Sequence, residues 1–117
     1  MYPTGDDWHL HMLCLINACL GQLSNNFRLV SLKLTKKNWL VQIVLEQKKQ
    51  DDIEAVEQIF EDYCLCVEES IQTWKMNGEV KFSTCIDLKI ALDLQFSQEA
   101  ISSEAVDYVR WIYSRKE

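Results

Sequence analysis

The sequence predicts an α+β domain: two helices packed on one face of a four-stranded, mainly antiparallel sheet, in the order α-β-β-α-β-β. Three observations carry this. Ile53 to Trp74 repeats apolar residues every three or four positions, the period of one helix face. Other stretches alternate apolar and polar residues, the period of a strand. The connections between them are short, which favours antiparallel neighbours.

The chain has 117 residues, 48% hydrophobic and 26% charged, with 3 Gly and 1 Pro. Residues 1–117 read as a single domain, with 1–6 expected as a loose N-terminal end. That length buries a core without metals or disulfides.

Asp6 or Asp7 suits the cap of a first helix beginning near Trp8. Met12, Ile16, Cys19, Leu20 and Leu23 set its expected apolar stripe, and Leu13 and Leu15 widen it. Ser24-Asn25-Asn26 reads as the turn that follows. Phe27 to Leu34 is a strand, with Val30, Leu32 and Leu34 alternating with Ser31 and Lys33. Thr35 to Asn38 turns the chain. Trp39, Val41, Ile43 and Leu45 line one face of the next strand. Leu40 and Val44 on its reverse predict a central strand partly covered on both sides.

The second helix opens at Asp51, with Ile53, Val56, Phe60, Tyr63, Val67, Ile71 and Trp74 as its apolar stripe. Asp51 and Asp52 suit the positive end of the helix dipole. Asn77-Gly78 is a stop signal. Val80, Phe82, Thr84, Ile86 and Leu88 predict a third strand, whose alternation runs on through Ile90 and Leu92. Residues 96–104 are polar and irregular. Val106 to Tyr113 closes the domain as a fourth strand, with a short helix from Ser102 competing for its first part.

The formal net charge is −6, from 18 acids and 12 bases. Glu46 to Glu69 holds nine acids against two bases, −7, so the rest of the chain sums to about +1. Basic residues run at most in pairs, so a nucleic acid partner is not expected. Glu54, Glu57, Glu61, Asp62 and Glu68 lie off the apolar stripe of the second helix. They read either as a solvated face or as an electronegative docking surface that steers a basic partner.

No positively charged leader follows Met1, and Trp8 to Leu20 is too short and too polar to span a bilayer. A cytoplasmic protein without membrane association is expected. Five cysteines occur without a Cys-x-x-Cys pair, as reduced side chains packed like small hydrophobes. His9 and His11 point apart on a helix and cannot form a metal pair. There is no phosphate loop, dinucleotide fingerprint, nucleophile elbow or zinc-protease motif. No cofactor, metal or catalytic residue is expected, and the chain does not read as an enzyme. Trp39 and Trp74 fall on expected core faces. Trp8 and Trp111, the latter beside Arg110, are core residues or interface anchors.

The run Leu15-Ile16-Asn17-Ala18-Cys19-Leu20-Gly21-Gln22-Leu23-Ser24-Asn25-Asn26-Phe27-Arg28-Leu29-Val30-Ser31-Leu32 resembles a pattern of small bacterial immunity proteins. There, a helix ends in a Leu-Gly-x-Ile-Ser turn and a strand opens at Asn-Phe-Arg. Trp39 to Glu46, the acidic helix Asp51 to Asp62 and the ending Ile112-Tyr113-Ser114-Arg115-Lys116-Glu117 are also similar. The group includes immunity proteins of contact-dependent growth inhibition and related polymorphic toxin systems. The resemblance implies a cytosolic protein that binds a cognate toxin domain and blocks its active site. Toxins of this kind are often nucleases with basic surfaces, which suits an acidic helix. A monomer is expected in that role. The alternative is a small acidic chaperone or adaptor for a secreted effector, commonly a dimer.

Overall fold

The structure, a computed structural model, describes residues 3–78, 80–97 and 109–114, and the side chains of all of these except Val109 and Trp111. Its elements are α1 (Gly5–Cys19), β1 (Phe27–Leu34), β2 (Asn38–Leu45), α2 (Gln50–Asn77), β3 (Lys89–Phe96) and β4 (Val109–Ser114). The order α-β-β-α-β-β is as expected. The competing helix from Ser102 and the basic ending 115–117 lie outside the described residues.

The four strands form one sheet in the order β3-β2-β1-β4. β1 pairs antiparallel with β2 and with β4. β3 pairs parallel with β2, from Asn38 opposite Lys89 to Leu45 opposite Phe96. The sheet is therefore mixed but mainly antiparallel, as expected: two of its three pairings are antiparallel and the third is parallel. The reason is that β2-α2-β3 is a crossover unit. A 28-residue helix carries the chain back along the sheet, so β3 starts at the same end as β2.

The core lies between the sheet and both helices. Phe27, Val30, Leu32 and Leu34 of β1 and Trp39, Val41, Ile43 and Leu45 of β2 share one buried cluster with residues of α1 and α2. A register irregularity between Phe27 and Leu29 lets Phe27 and Val30 use the same face. Leu29 and Val44 are register partners, buried but outside that cluster. β2 is thus central, buried on its core face and partly covered on the other, where Val44 is buried and Leu40 half-buried.

The first helix differs from expectation in both start and phase. It begins at Gly5, and Thr4 caps it rather than Asp6 or Asp7. The Thr4 hydroxyl accepts from the Asp7 N–H, and the Asp7 carboxylate accepts from the Thr4 N–H. Its buried face is Trp8, Leu10, His11, Cys14, Leu15, Ala18 and Cys19. Of the expected stripe, Ile16 and Leu20 are exposed and Met12 is half-buried. The helix is apolar nearly all round, so spacing alone does not choose a face. Asp7 and His11 decide it, because their partners lie inside.

Those partners are Tyr63 and, within residues 80–88, Ser83 and Ile86, in a segment where the structure corrects the expected third strand. The segment is not a strand. Its buried residues include the consecutive Cys85 and Ile86 while Thr84 is exposed, which breaks the period of two. Its backbone is bonded by side chains and by two turn bonds, Ile86 N–H to the Ser83 carbonyl and Leu88 N–H to the Cys85 carbonyl, instead of a ladder. The Lys81 N–H donates to Asp6 Oδ2 at 2.7 Å and the Ser83 N–H to Asp7 Oδ1 at 3.0 Å. The Trp39 indole N–H donates to the Cys85 carbonyl at 2.7 Å. The regular pairing starts at Lys89, inside the run-on alternation.

α2 buries Val56, Ile59, Tyr63, Val67 and Ile71. Ile59 takes the place expected for Phe60, which is half-buried. Gly78 ends the helix at φ +73°, a left-handed cap that favours glycine.

Candidate functional site

All five expected contact residues project from the solvent side of α2. Glu54, Glu57, Glu61, Asp62 and Glu68 are exposed. Glu54, Glu57 and Glu61 follow steps of three and four, so they share one face, and Glu68 continues it two turns on. From Glu54 to Glu68 the stripe is about 21 Å long. The Gln58 amide donates to Asp62 Oδ1 at 2.8 Å and holds that carboxylate on the surface.

The position between Glu61 and Glu68 on this stripe is Leu65, which is 53% exposed. Sequence reasoning passed over it. Its signal is an apolar residue four positions after Glu61, off the buried stripe. An exposed leucine ringed by carboxylates has the anatomy of an interface centre with a charged rim.

The base of α2 is tied to the sheet. Asn26 is buried, and its side-chain amide donates to the Gln47 carbonyl and to Asp52 Oδ2, both at 2.8 Å. Its Oδ1 accepts from the Gln47 N–H at 2.8 Å. The Ser24 hydroxyl donates to Asp52 Oδ1 at 2.8 Å. Arg28, also buried, donates from Nη1 to the Ser97 carbonyl at 2.8 Å. Ser24 and Asn26 therefore clamp the first turn of the acidic helix, and Arg28 ties β1 to the chain just past β3.

The interior holds a second polar group. His11 lies stacked on Trp39 with ring centres 3.9 Å apart. Its Nε2 is 2.9 Å from the Ile86 carbonyl, which only accepts, so Nε2 carries the proton. Nδ1 then accepts from the Tyr63 hydroxyl at 2.6 Å. Burial lowers the His11 pKa to about 4, against the opposing pull of the Ile86 carbonyl and Asp7. Burial likewise pushes the Tyr63 hydroxyl far above its ordinary range. The Asp7 carboxylate also bonds the Ser83 hydroxyl. Among the described residues, no buried side-chain N or O atom lacks a partner. A histidine, a tyrosine and an aspartate with every polar atom occupied from within serve to dock residues 80–88 on α1.

His9 is exposed, its ring centre 5.7 Å from that of the half-buried Trp74. The two histidines point apart, as expected. Trp39 is fully buried and Trp8 nearly so, edge-on to it at 5.0 Å. The Arg110 guanidinium sits 4.7 Å from the centre of the Trp8 ring. Trp8 is a core residue, and the Trp111 side chain lies outside the described residues. All five cysteines are free thiols. Among the described residues, no group of three His, Cys, Asp or Glu is placed to hold a metal. No helix there is long and apolar enough to cross a membrane.

Residues 9–117 match the sequence profile of the MafI2 immunity protein family. The chain belongs to that family. No curated protein matches the chain. Membership in the MafI2 immunity protein family bears out the resemblance to small bacterial immunity proteins of toxin systems. It also decides between the two expected roles, immunity protein against effector chaperone. The partner of a MafI2 immunity protein is a protein toxin.

Proposed function

We propose that this MafI2 immunity protein neutralises its toxin through the solvent face of α2, without catalysis, as a monomer in the cytoplasm. Glu54, Glu57, Glu61, Asp62 and Glu68 face a basic toxin surface and cover its active site. The toxin is a nuclease in this reading, and the carboxylates occupy ground that substrate phosphates would take. Nucleic acid and membrane are not partners, because the net charge of −6 repels both. The observation that carries the reading is the concentration of −7 on one segment, with Glu54, Glu57, Glu61, Asp62 and Glu68 all exposed and the last three within one turn of the exposed Leu65.

The test starts from the toxin domain encoded beside this gene, expressed in a catalytically dead form. Its affinity for the immunity protein is measured by calorimetry at several salt concentrations. Affinity should fall as salt rises, and Glu57→Lys with Glu61→Lys should weaken binding and flatten that slope. Unchanged affinity and slope place the docking surface elsewhere. A Lys/Arg-poor toxin domain, or one without activity on nucleic acid, removes the nuclease part.

A further inference from the structure

Where α1 crosses α2, the Cys14 and Cys66 sulfurs lie 2.7 Å apart. Carbon atoms in good contact sit about 3.5–4.0 Å apart, and sulfur is larger. The Ser70 hydroxyl touches both sulfurs, at 3.6 Å from Cys14 and 3.7 Å from Cys66. The two thiols therefore face each other at a helix crossing, with no side chain between them. We propose that Cys14 and Cys66 are a dithiol that hydrogen peroxide oxidises to a disulfide, tying α1 to α2.

The two sulfurs are not equivalent. Cys14 is buried, and burial pushes its thiol up to about 12, with the Cys66 contact adding to the rise. Cys66 is half-buried and reachable from solvent. Cys66 is thus the sulfur that meets peroxide first. Its thiolate attacks one peroxide oxygen and the O–O bond breaks. The departing hydroxide takes up a proton as water, leaving a sulfenic acid on Cys66. The Cys14 sulfur then attacks the Cys66 sulfur, its proton leaves with the hydroxyl as a second water, and the S–S bond forms. Two thiols lose two electrons, and one peroxide is reduced to two waters.

The other cysteines are poorly placed for this. Cys64 lies two residues from Cys66 on α2, so its side chain points to another side of the helix. Burial and the Glu68 carboxylate both raise its thiol pKa. Cys19 and Cys85 are buried.

The test treats the reduced full-length protein with hydrogen peroxide, denatures it without reductant, alkylates it and maps it by mass spectrometry. The expected product is about 2 Da lighter, carries a Cys14–Cys66 peptide link and leaves three of the five thiols open to alkylation. Dithiothreitol should restore all five. Cys64→Ser should form the link as the native protein does, and Cys66→Ser should not. The oxidised form should melt roughly 10 °C higher. The proposal is overturned if Cys66 goes on to sulfinic acid while Cys14 stays open to alkylation. A bridge between another pair, or between two chains, overturns it as well. Mapping of the native sequence decides the matter even where a variant fails to fold.

Discussion

The Tyr63 hydroxyl donates to His11 Nδ1 at 2.6 Å and so joins the middle of α2 to α1 through a neutral imidazole. Nothing else at that ring is exposed to water: Trp39 stacks on it and the Ile86 carbonyl accepts from its other nitrogen.

Stability should therefore fall in mild acid. The folded pKa of about 4 lies below the ordinary 6.5. Between those values the unfolded chain binds more protons than the native one, so stability rises with pH across the window. The contribution is fully present above about 6.5 and lost as pH falls toward 4, on the order of 3 kcal/mol. Asp7 faces the ring as an opposing charge and limits the effect. Urea unfolding of the native protein and of His11→Gln at pH 7 and pH 4.5 checks this. The variant should be weaker at pH 7 and change less between the two.

Asn26→Asp should destabilise by about 2–4 kcal/mol at neutral pH. The substitution is nearly isosteric, so packing is kept. It replaces two donors by an acceptor aimed at the Gln47 carbonyl and the Asp52 carboxylate. The loss should shrink as pH falls through the ordinary carboxylate range, because protonation restores a donor. Thermal melts at pH 7 and pH 4 distinguish this from a simple packing defect.

Two glycine substitutions should act in opposite directions. A side chain at Gly78 meets no atom within 4 Å, yet the backbone sits at φ +73°. Gly78→Ala should cost about 1 kcal/mol from backbone strain alone. Gly5 lies at the start of α1, is equally open and has no positive φ. Gly5→Ala should stabilise by about 0.5 kcal/mol, because alanine narrows the unfolded ensemble. Denaturant midpoints measure both.

Leu65→Ala separates an interface anchor from a bystander. The side chain is 53% exposed, so its loss should leave stability within about 0.5 kcal/mol of the native value. In the toxin-binding assay it should weaken affinity about tenfold or more, as truncation at an interface centre does. Equal affinity would show that the acidic face binds by charge alone.

Much of this was legible in the residues. α2 buries one regular stripe and β2 alternates along most of its length, so their periods named them, and β1 was named by its apolar run from Phe27 to Leu34 although both its faces are buried. The acidic face was legible for the converse reason, since carboxylates off a buried stripe face solvent. α1 was misphased because leucine, methionine and isoleucine surround it. Its buried side was chosen by Asp7 and His11, whose partners Tyr63, Ile86 and Ser83 lie 52 to 76 residues away. Leu65 escaped notice because a single apolar residue on a polar face breaks no pattern.

The sequence by itself determined the number and order of elements, the acidic concentration on α2 and the resemblance to immunity proteins. These are local or compositional properties, and no distant residue alters them. Only the tertiary structure decided the direction of β3, the burial of His11 and the fate of residues 80–88. Alternation along Val80 to Leu88 records which side chains tend to be buried. It does not record where backbone hydrogen bonds go. Asp6, Asp7 and Trp39 supply those bonds from other elements, so the segment stays out of the sheet, and the crossover through α2 delivers β3 parallel to β2.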